Sequence, residues 1–424
     1  MLEINKIKLN KESVIELLIV KNFKAAEEKI NMLLVLDEKK RQVQKELEDI
    51  KAELNLKSKV IGQLMKEGSK ELAKKAKIDV ANLKESSKDL ETNMVEKEKE
   101  IEELLLSIPN LPHPSVPKGK TAEDNIIEYN FGEIPKLYEG ATPHWDLCAK
   151  YDIVDFELGN KITGAGFPVY KGKGAKLQRA LINFFLDEAE RNGFSEVQPP
   201  LMVNEASALA TGQLPDKEGQ MYSIPLDGFY MIPTAEVPIT NIFRDVIVQE
   251  KEFPICKSAY SQCFRREAGS YGKDVRGLNR LHQFDKVEIV CIDHPEHSYE
   301  QLETMKNHVA NILKKLELPF RVLRLCGGDI SFTAALTFDF ETYSAAQERW
   351  LEVSSVSNFE TFQSNRLKLR FKNQEGKTQL AHTLNGSALA LPRILASILE
   401  NNQTPEGIKI PKALIPYTGF EIID

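Results

Sequence analysis

The sequence predicts an α+β fold, a mainly antiparallel sheet with helices packed on it, preceded by an antiparallel α-helical coiled coil. Three observations lead there: a heptad seam of apolar residues near the N-terminus, a proline-rich stretch that ends it, and alternating β-type and helical runs over the rest of the 424 residues.

From Leu33 onward apolar residues recur at alternating steps of three and four, through Leu36, Val43, Leu47, Ile50, Leu54, Ile61 and Leu64, with Lys40 and Lys57 at the skipped positions. That period keeps one face of a helix apolar and marks a coiled coil. A second seam runs through Ala76, Val80, Leu83, Leu90, Met94, Ile101 and Leu104, and Gly68-Ser69 lies between the two. Two helices of similar length around a short turn make an antiparallel hairpin, and at 1.5 Å rise per residue each would be roughly 45 Å long, an arm reaching from a body. A generic dimerisation coiled coil would carry the same seam.

The stretch Ile108-Pro-Asn-Leu-Pro-His-Pro-Ser-Val-Pro117 cannot continue a helix and marks a domain boundary. The chain is also too long for one ordinary compact domain. Domains 1–108 and 109–424 are expected.

Beyond the boundary, helical patterns run from Gly174 to Arg191 and from Tyr299 to Leu316, with β-type runs near Tyr222 to Ile232, Ser258 to Phe264, Leu281 to Ile292 and Phe320 to Leu325. Strands outnumber βαβ-sized crossovers and no G-x-x-x-x-G-K-[ST] loop occurs, so the sheet is expected to be antiparallel. The glycines of Tyr170-Lys-Gly-Lys-Gly-Ala175 read as a loop before a helix.

Composition excludes some classes. Residues are 42% hydrophobic and 28% charged, and no apolar stretch approaches the roughly 18 residues of a membrane helix. The run Val14 to Val20 is broken by Glu16, followed by Lys21 and lacks a small-residue cleavage site, so a cytoplasmic protein is expected. Cys148, Cys256, Cys263, Cys291 and Cys326 are odd in number, spread out and never in a C-x-x-C pair, which predicts buried, reduced thiols. A net charge of −7 restricts any nucleic-acid contact to a local basic surface.

Four segments carry the chemistry. In Cys263 to Glu288 a strand ends in charge, a loop rich in Gly, Lys and Arg follows, and a second strand returns. Strand alternation puts Arg265 and Glu267 on one face of the first strand, and Arg280, His282, Phe284, Lys286 and Glu288 on one face of the second, opposite Leu281, Val287 and Ile289. Guanidinium groups beside an aromatic plane suit a nucleotide, phosphate to the one and base to the other. A solvated charged face would show the same alternation. In Thr383 to Gln403, Asn385, Gly386 and Ser387 permit close backbone approach, Pro392 suits a first helical turn, and Ile394, Leu395, Ile398 and Leu399 give the helix a buried face. Arg393 at that helix N-terminus hints at a bound anion, since the helix dipole disfavours an unpaired cation there. Pro233-Thr-Ala-Glu236 and Glu352-Val-Ser-Ser355, with Asp339 and Glu341 upstream, add carboxylates and hydroxyls of the kind that hold Mg²⁺ beside a triphosphate.

Together these segments resemble the seryl-tRNA synthetase family of class II aminoacyl-tRNA synthetases, over essentially the whole chain. Gly193-Phe-Ser-Glu-Val-Gln-Pro-Pro200 is similar to motif 1, Phe264 to Glu288 to motif 2, and Asn385 to Arg393 to motif 3. Thr234-Ala-Glu236, Glu267-Ala-Gly-Ser270, His282-Gln-Phe284 and Glu352-Val-Ser-Ser355 are the strings closest to seryl enzymes. Leu336, Leu351 and Tyr343-Ser-Ala345 depart from the family's pattern.

The resemblance implies a class II catalytic domain at 109–424 and a tRNA-binding domain with a coiled-coil arm at 1–108. It implies ATP-dependent activation of L-serine and its transfer to the 3′ end of tRNA(Ser), with tRNA(Sec) a further candidate acceptor. Arg265, Arg393 and Glu352 would be the catalytic residues. ATP would meet Arg265, Arg266, Glu267, Arg280, Leu281, Phe284, Glu352, Val353, Ser354, Ser355 and Arg393. Serine would meet Thr234, Ala235, Glu236, Arg265, Glu288, Asn385 and Ser387. Glu352 and Ser355 would hold Mg²⁺ through ATP, motif 1 would form a homodimer, and the arm would bind tRNA(Ser). A class II synthetase of another specificity and a catalytically dead tRNA-binding paralogue are the competing readings.

Overall fold

A computed structural model describes residues 1–216, 218–267 and 276–424. The chain divides into two compact units, Met1–Ile19 with Phe23–Pro109, and Val20–Asn22 with Asn110–Asp424.

The first unit is dominated by helices α1 (Ala26–Lys66) and α2 (Lys70–Leu106), joined by a three-residue turn. Their 41 and 37 residues make rods of roughly 60 and 55 Å, longer than the seams alone suggested. Most of the extra length on α1 is the roughly two turns before Leu33, where Ala26 and Ile30 are buried. Along α1 the seam residues Val43, Leu47, Ile50, Leu54, Lys57, Ile61 and Leu64 are half-buried between exposed neighbours. On α2 the seam also takes in Ala73, Ser87 and Leu105, all buried. Ion pairs between the helices run in opposite chain directions: Lys40–Glu98 at 2.9 Å, Lys51–Glu91 at 2.8 Å and Lys57–Asp79 at 3.6 Å. The hairpin is therefore antiparallel.

The second unit is built on an eight-stranded sheet. In chain order its strands are β1 (Ile126–Phe131), β2 (Ser195–Glu196), β3 (Ile255–Phe264), β4 (Gln283–Asp293), β5 (Phe320–Arg324), β6 (Leu336–Ser344), β7 (Arg349–Asn358) and β8 (His382–Ala390). They lie in the order β1-β5-β6-β7-β8-β4-β3-β2, all antiparallel except the edge pair β2 and β3. Helices α3 (Gly172–Arg191), α4 (Ser298–Lys315) and α5 (Leu391–Asn401) pack on it.

Strand β4 shows how the sheet divides its environments. Val287, Ile289 and Cys291 enter the main core with Leu181 and Phe185 of α3, Val309 and Leu313 of α4, and Leu395 and Leu399 of α5. On the other face, Val290 and Ile292 join a second cluster with Ile239, Leu367 and Phe371. Further back on that face, Phe284, Lys286 and Glu288 line an open cavity. Alternation thus places the charge where no core is needed.

Several expectations are corrected. The first strand of the charged segment ends at Phe264 and the second begins at Gln283, so Arg265, Glu267, Arg280 and His282 belong to connecting chain, not to strand faces. The run near Tyr222 is a hairpin of two short strands, Ser223–Ile224 and Phe229–Met231. Cys256 and Cys291 sit directly opposite each other on β3 and β4 with Cα atoms 4.3 Å apart, and their sulfurs are joined. The expectation of five reduced thiols therefore fails for this pair, because sequence spacing does not reveal cross-strand register; Cys148, Cys263 and Cys326 are free and buried. Leu336 and Leu351 are buried and neither lines the cavity. Among the described residues, no helix is long and apolar enough to cross a membrane.

Candidate active site

The cavity on the polar face of β4, β7 and β8 has a volume of about 570 Å³. It collects Thr234, Glu236, Arg265, Glu267, Arg280, Leu281, Phe284, Glu288, Glu352, Val353, Ser354, Ser355, Asn385, Ser387 and Arg393, residues spread over 160 positions of sequence. Two expected residues stand outside its lining. Ala235 is fully buried in the second core, and the Arg266 guanidinium lies over the Tyr222 ring at 5.6 Å. His282 also turns away, stacking on Phe167 at 5.4 Å with its Nδ1 2.9 Å from the Tyr222 hydroxyl. Residues 268–270 of the Glu267-Ala-Gly-Ser270 string lie outside the described residues.

One end of the cavity is a buried charged cluster. Lys286 and Glu288, two apart on β4 and so on one face, form an ion pair of 2.6 Å with side chains only 6% and 1% exposed. The Lys286 ammonium also donates to the Thr234 hydroxyl at 2.9 Å. Asn385 and Ser387, facing the cavity from β8, donate to Glu288 at 3.2 and 3.4 Å. Glu236 opens a short helix, Glu236–Asn241, and accepts from the Gln363 amide at 2.6 Å. Burial, reinforced by the nearby Glu288, pushes its carboxyl up to about 7. Burial raises Glu288 as well, with Lys286 opposing the rise. Two carboxyls and a single buried lysine leave this end ready for another cation with hydrogen-bonding capacity.

Arginines and an aromatic ring line a further part of the cavity. The Arg265 guanidinium lies 5.2 Å from the centroid of Phe284, and Arg280 pairs with Glu267 at 3.0 Å. Arg393, in the first turn of α5, donates to the Asn279 carbonyl at 2.9 Å and to the Glu352 carbonyl at 2.6 Å. The Arg265 guanidinium and the Phe284 ring face can meet an anion and a planar group respectively.

The far side owes its geometry to a β-bulge. Glu352 and Ser355 are three residues apart, which on a regular strand would put them on opposite faces. Between β6 and β7 the register slips, pairing Phe340 with Ser354 but Glu341 with Glu352, so Val353 is the extra residue. Glu352 and Ser355 consequently face the same way, opposite Glu341 and Asp339. Asp339 is half-buried, with a buried Oδ1 that has no hydrogen-bond partner among the described residues, and burial of the carboxyl, with Glu352 beside it, holds it well above the usual range.

Sequence reasoning had placed Lys286 on the right face without giving it a role, and the alternation Phe284, Lys286, Glu288 was its signal. Gln363, Asn279, Ser331 and Thr333 also reach the site or its carboxylates, with no local signal in the sequence.

Residues 222–402 match the family model of the class II tRNA synthetase core domain (G, H, P, S and T). The fold is accordingly shared with the prolyl-tRNA synthetase of Giardia lamblia, at TM-score 0.56 and 17% identity over 64% of this chain and 54% of that one. The sheet and its cavity thus define a class II aminoacyl-tRNA synthetase core. Residues 1–112 match the seryl-tRNA synthetase N-terminal domain. The chain is 51% identical to the serine–tRNA ligase of Salinibacter ruber over 92% of each, and 47% identical to that of Chlorobium luteolum over 100% of this chain and 99% of that one. The seryl-tRNA synthetase of Pyrococcus horikoshii, solved with ATP, superposes at TM-score 0.92 with 32% identity, covering 100% of this chain and 99% of that one. The chain belongs to the seryl-tRNA synthetase family.

Proposed function

We propose that this chain activates L-serine with ATP, releasing pyrophosphate, and transfers the seryl group to the 3′ end of tRNA(Ser). The carrying observation is that one cavity joins a cation-seeking cluster (Glu236, Glu288, Thr234) to a stretch lined by Phe284, Arg265 and Arg393. Serine offers an ammonium and a hydroxyl to the first, and ATP a base and phosphates to the second. Arg265 and Arg393 neutralise charge as a serine carboxylate oxygen attacks the α-phosphorus and the bond to pyrophosphate breaks. A ribose hydroxyl of the terminal adenosine then attacks the adenylate carbonyl, and AMP leaves. Such chemistry runs on positioning and charge neutralisation without a protein nucleophile.

The residues present fit a divalent cation, since the bulge gathers Glu352, Ser355 and Asp339 on one face, with one Asp339 carboxyl oxygen unpartnered among the described residues. Glu352 and Ser355 would hold Mg²⁺ there, and it would neutralise phosphate charge. The same reading makes the chain a cytoplasmic homodimer through Gly193 to Pro200, with the α1–α2 hairpin meeting tRNA(Ser) and tRNA(Sec) a second acceptor. The relatives solved with ATP and, from Naegleria fowleri, with AMP support the nucleotide half of the site. Amino-acid-dependent ATP–pyrophosphate exchange across all twenty amino acids tests the proposal: exchange with serine alone is expected, and exchange led by another amino acid, or none at all, would overturn it.

A further inference from the structure

Behind the nucleotide half of the cavity lies a buried polar network that the chemistry above does not use. His144 opens a short helix, His144–Lys150, and is completely buried. It precedes residues 222–402, the stretch that carries the class II core match. Its Nδ1 is 2.7 Å from Oε1 of Glu400, a residue near the end of α5 that is also fully buried. Its Nε2 accepts the backbone N–H of Leu278 at 2.8 Å. Because Nε2 accepts, the proton sits on Nδ1 and is donated to Glu400, so the ring bridges a carboxylate and a backbone amide in a single tautomer.

Leu278 and Asn279 line the cavity at the start of the segment leading into β4. Gln347 ties the same carboxylate to Asn279: its amide donates to Glu400 at 2.9 Å and its carbonyl accepts from the Asn279 side chain at 3.0 Å. The Asn279 carbonyl in turn receives Arg393. Helix α5 therefore carries the arginine at one end and, at the other, the carboxylate that fixes the chain against which that arginine is held. Gly277 has φ +65°, and a Cβ there would meet His144 Nε2 at 2.3 Å, so the backbone is seated on the ring. The arrangement leaves the Asn279 Oδ1, buried and without a partner among the described residues, at the cavity wall.

We infer that His144, held by Glu400, is a positioning residue of the nucleotide site: it fixes the Gly277–Asn279 turn so that Arg393 and Asn279 present a preformed surface to the base. This rests on the cavity being the site of serine-dependent ATP chemistry. The role is separable because the two ring nitrogens do different things. In His144→Asn the amide stands near the Nδ1 position and can still satisfy Glu400, but it cannot reach Leu278. In His144→Gln the terminal carbonyl stands near the Nε2 position and can accept the Leu278 amide.

The test is ATP–pyrophosphate exchange with KM measured separately for ATP and serine, beside thermal unfolding of each full-length variant. For His144→Asn, KM for ATP is expected to rise roughly 10- to 100-fold, the range seen when a group supporting a ligand contact is lost. KM for serine should hold within about two-fold, well below that range. His144→Gln should recover most of the ATP affinity, and Gly277→Ala should reproduce the ATP-specific defect from the other side of the contact. An unchanged KM for ATP in His144→Asn, or equal losses for ATP and serine that His144→Gln does not relieve, would overturn the inference. If His144→Asn fails to fold, the Gly277→Ala and His144→Gln comparison decides on the same terms. Wild-type protein lacking serine-dependent exchange would instead overturn the reading of the site, and this inference with it.

Discussion

Replacing Glu236 by Gln removes one titrating group from the buried end of the cavity while keeping its shape and an oxygen to accept from Gln363. Unfolded, a glutamate titrates near its ordinary value of 4.5, and folded this one titrates near 7. Between those values the native protein holds a proton the unfolded chain has released. Stability from this group is therefore present at low pH and is lost as pH rises through about 7. At 1.36 kcal/mol per pKa unit the full swing is roughly 3 kcal/mol. Urea denaturation of the ligand-free wild type and Glu236→Gln, from pH 5 to pH 8, isolates the effect as a difference, so other titrating groups cancel. The variant should gain on the wild type from pH 5 to about pH 7 and level off above it, by roughly 2.5 kcal/mol in total once the part already lost below pH 5 is removed. Serine should bind the wild type with net proton release below pH 7, since an ammonium beside Glu236 favours the charged carboxylate. A stability difference independent of pH would refute the assignment of this carboxyl as protonated in the empty site.

Arg265→Ala should lower serine-dependent exchange by on the order of 10²–10³ with little change in melting temperature, because the side chain meets the cavity and a ring face instead of the core; near-wild-type exchange would remove Arg265 from the reaction. Alanine should be activated less efficiently than serine, since it forfeits a hydroxyl that can hydrogen-bond within the Thr234, Glu288 and Ser387 cluster; a competition exchange assay reads this directly. Exchanging Leu33 to Leu104 for a short flexible linker should leave serine activation within a few-fold and sharply reduce tRNA aminoacylation, and equal charging with and without the hairpin would rule out its RNA role. Lys51 and Lys57 are engaged with acids of the facing helix. Exposed lysines there include Lys59, Lys66, Lys70, Lys74, Lys75 and Lys77, and each replaced by Ala should lower the salt dependence of tRNA binding by about one if it contacts a phosphate.

What the sequence revealed follows its periodicities. The paired helices were legible because two seams of period 3.5 call for facing helices, and the Gly68-Ser69 break between them pointed to a hairpin over a dimerisation coiled coil; both seams are the less exposed lines on α1 and α2. The faces of β4 were legible from Phe284 onward, where alternation begins, and illegible at Arg280 and His282, which precede the strand. The common face of Glu352 and Ser355 was implied by resemblance, while its cause, the bulge at Val353, depends on pairing with β6 and leaves no local mark. Register likewise hid the Cys256–Cys291 pair and the approach of Gln363 to Glu236, since both join residues that only the assembled sheet brings together.

The hairpin's burial is unevenly distributed along its length. Ile30, Leu33, Leu36, Ile101 and Leu105 are buried near the chain termini of the two helices, whereas Ala73 is the lone buried apolar residue within two turns of the connecting Gly68. Cooperativity in a two-stranded rod depends on such contacts, so it should melt progressively from the turn, and amide hydrogens should exchange on a gradient: fast around Met65 to Leu72, slowest around Leu33 and Ile101. A ligand that grips the turn region would then have to halt this fraying as it binds, sacrificing some affinity to ordering while gaining a surface that can adapt to curvature it meets.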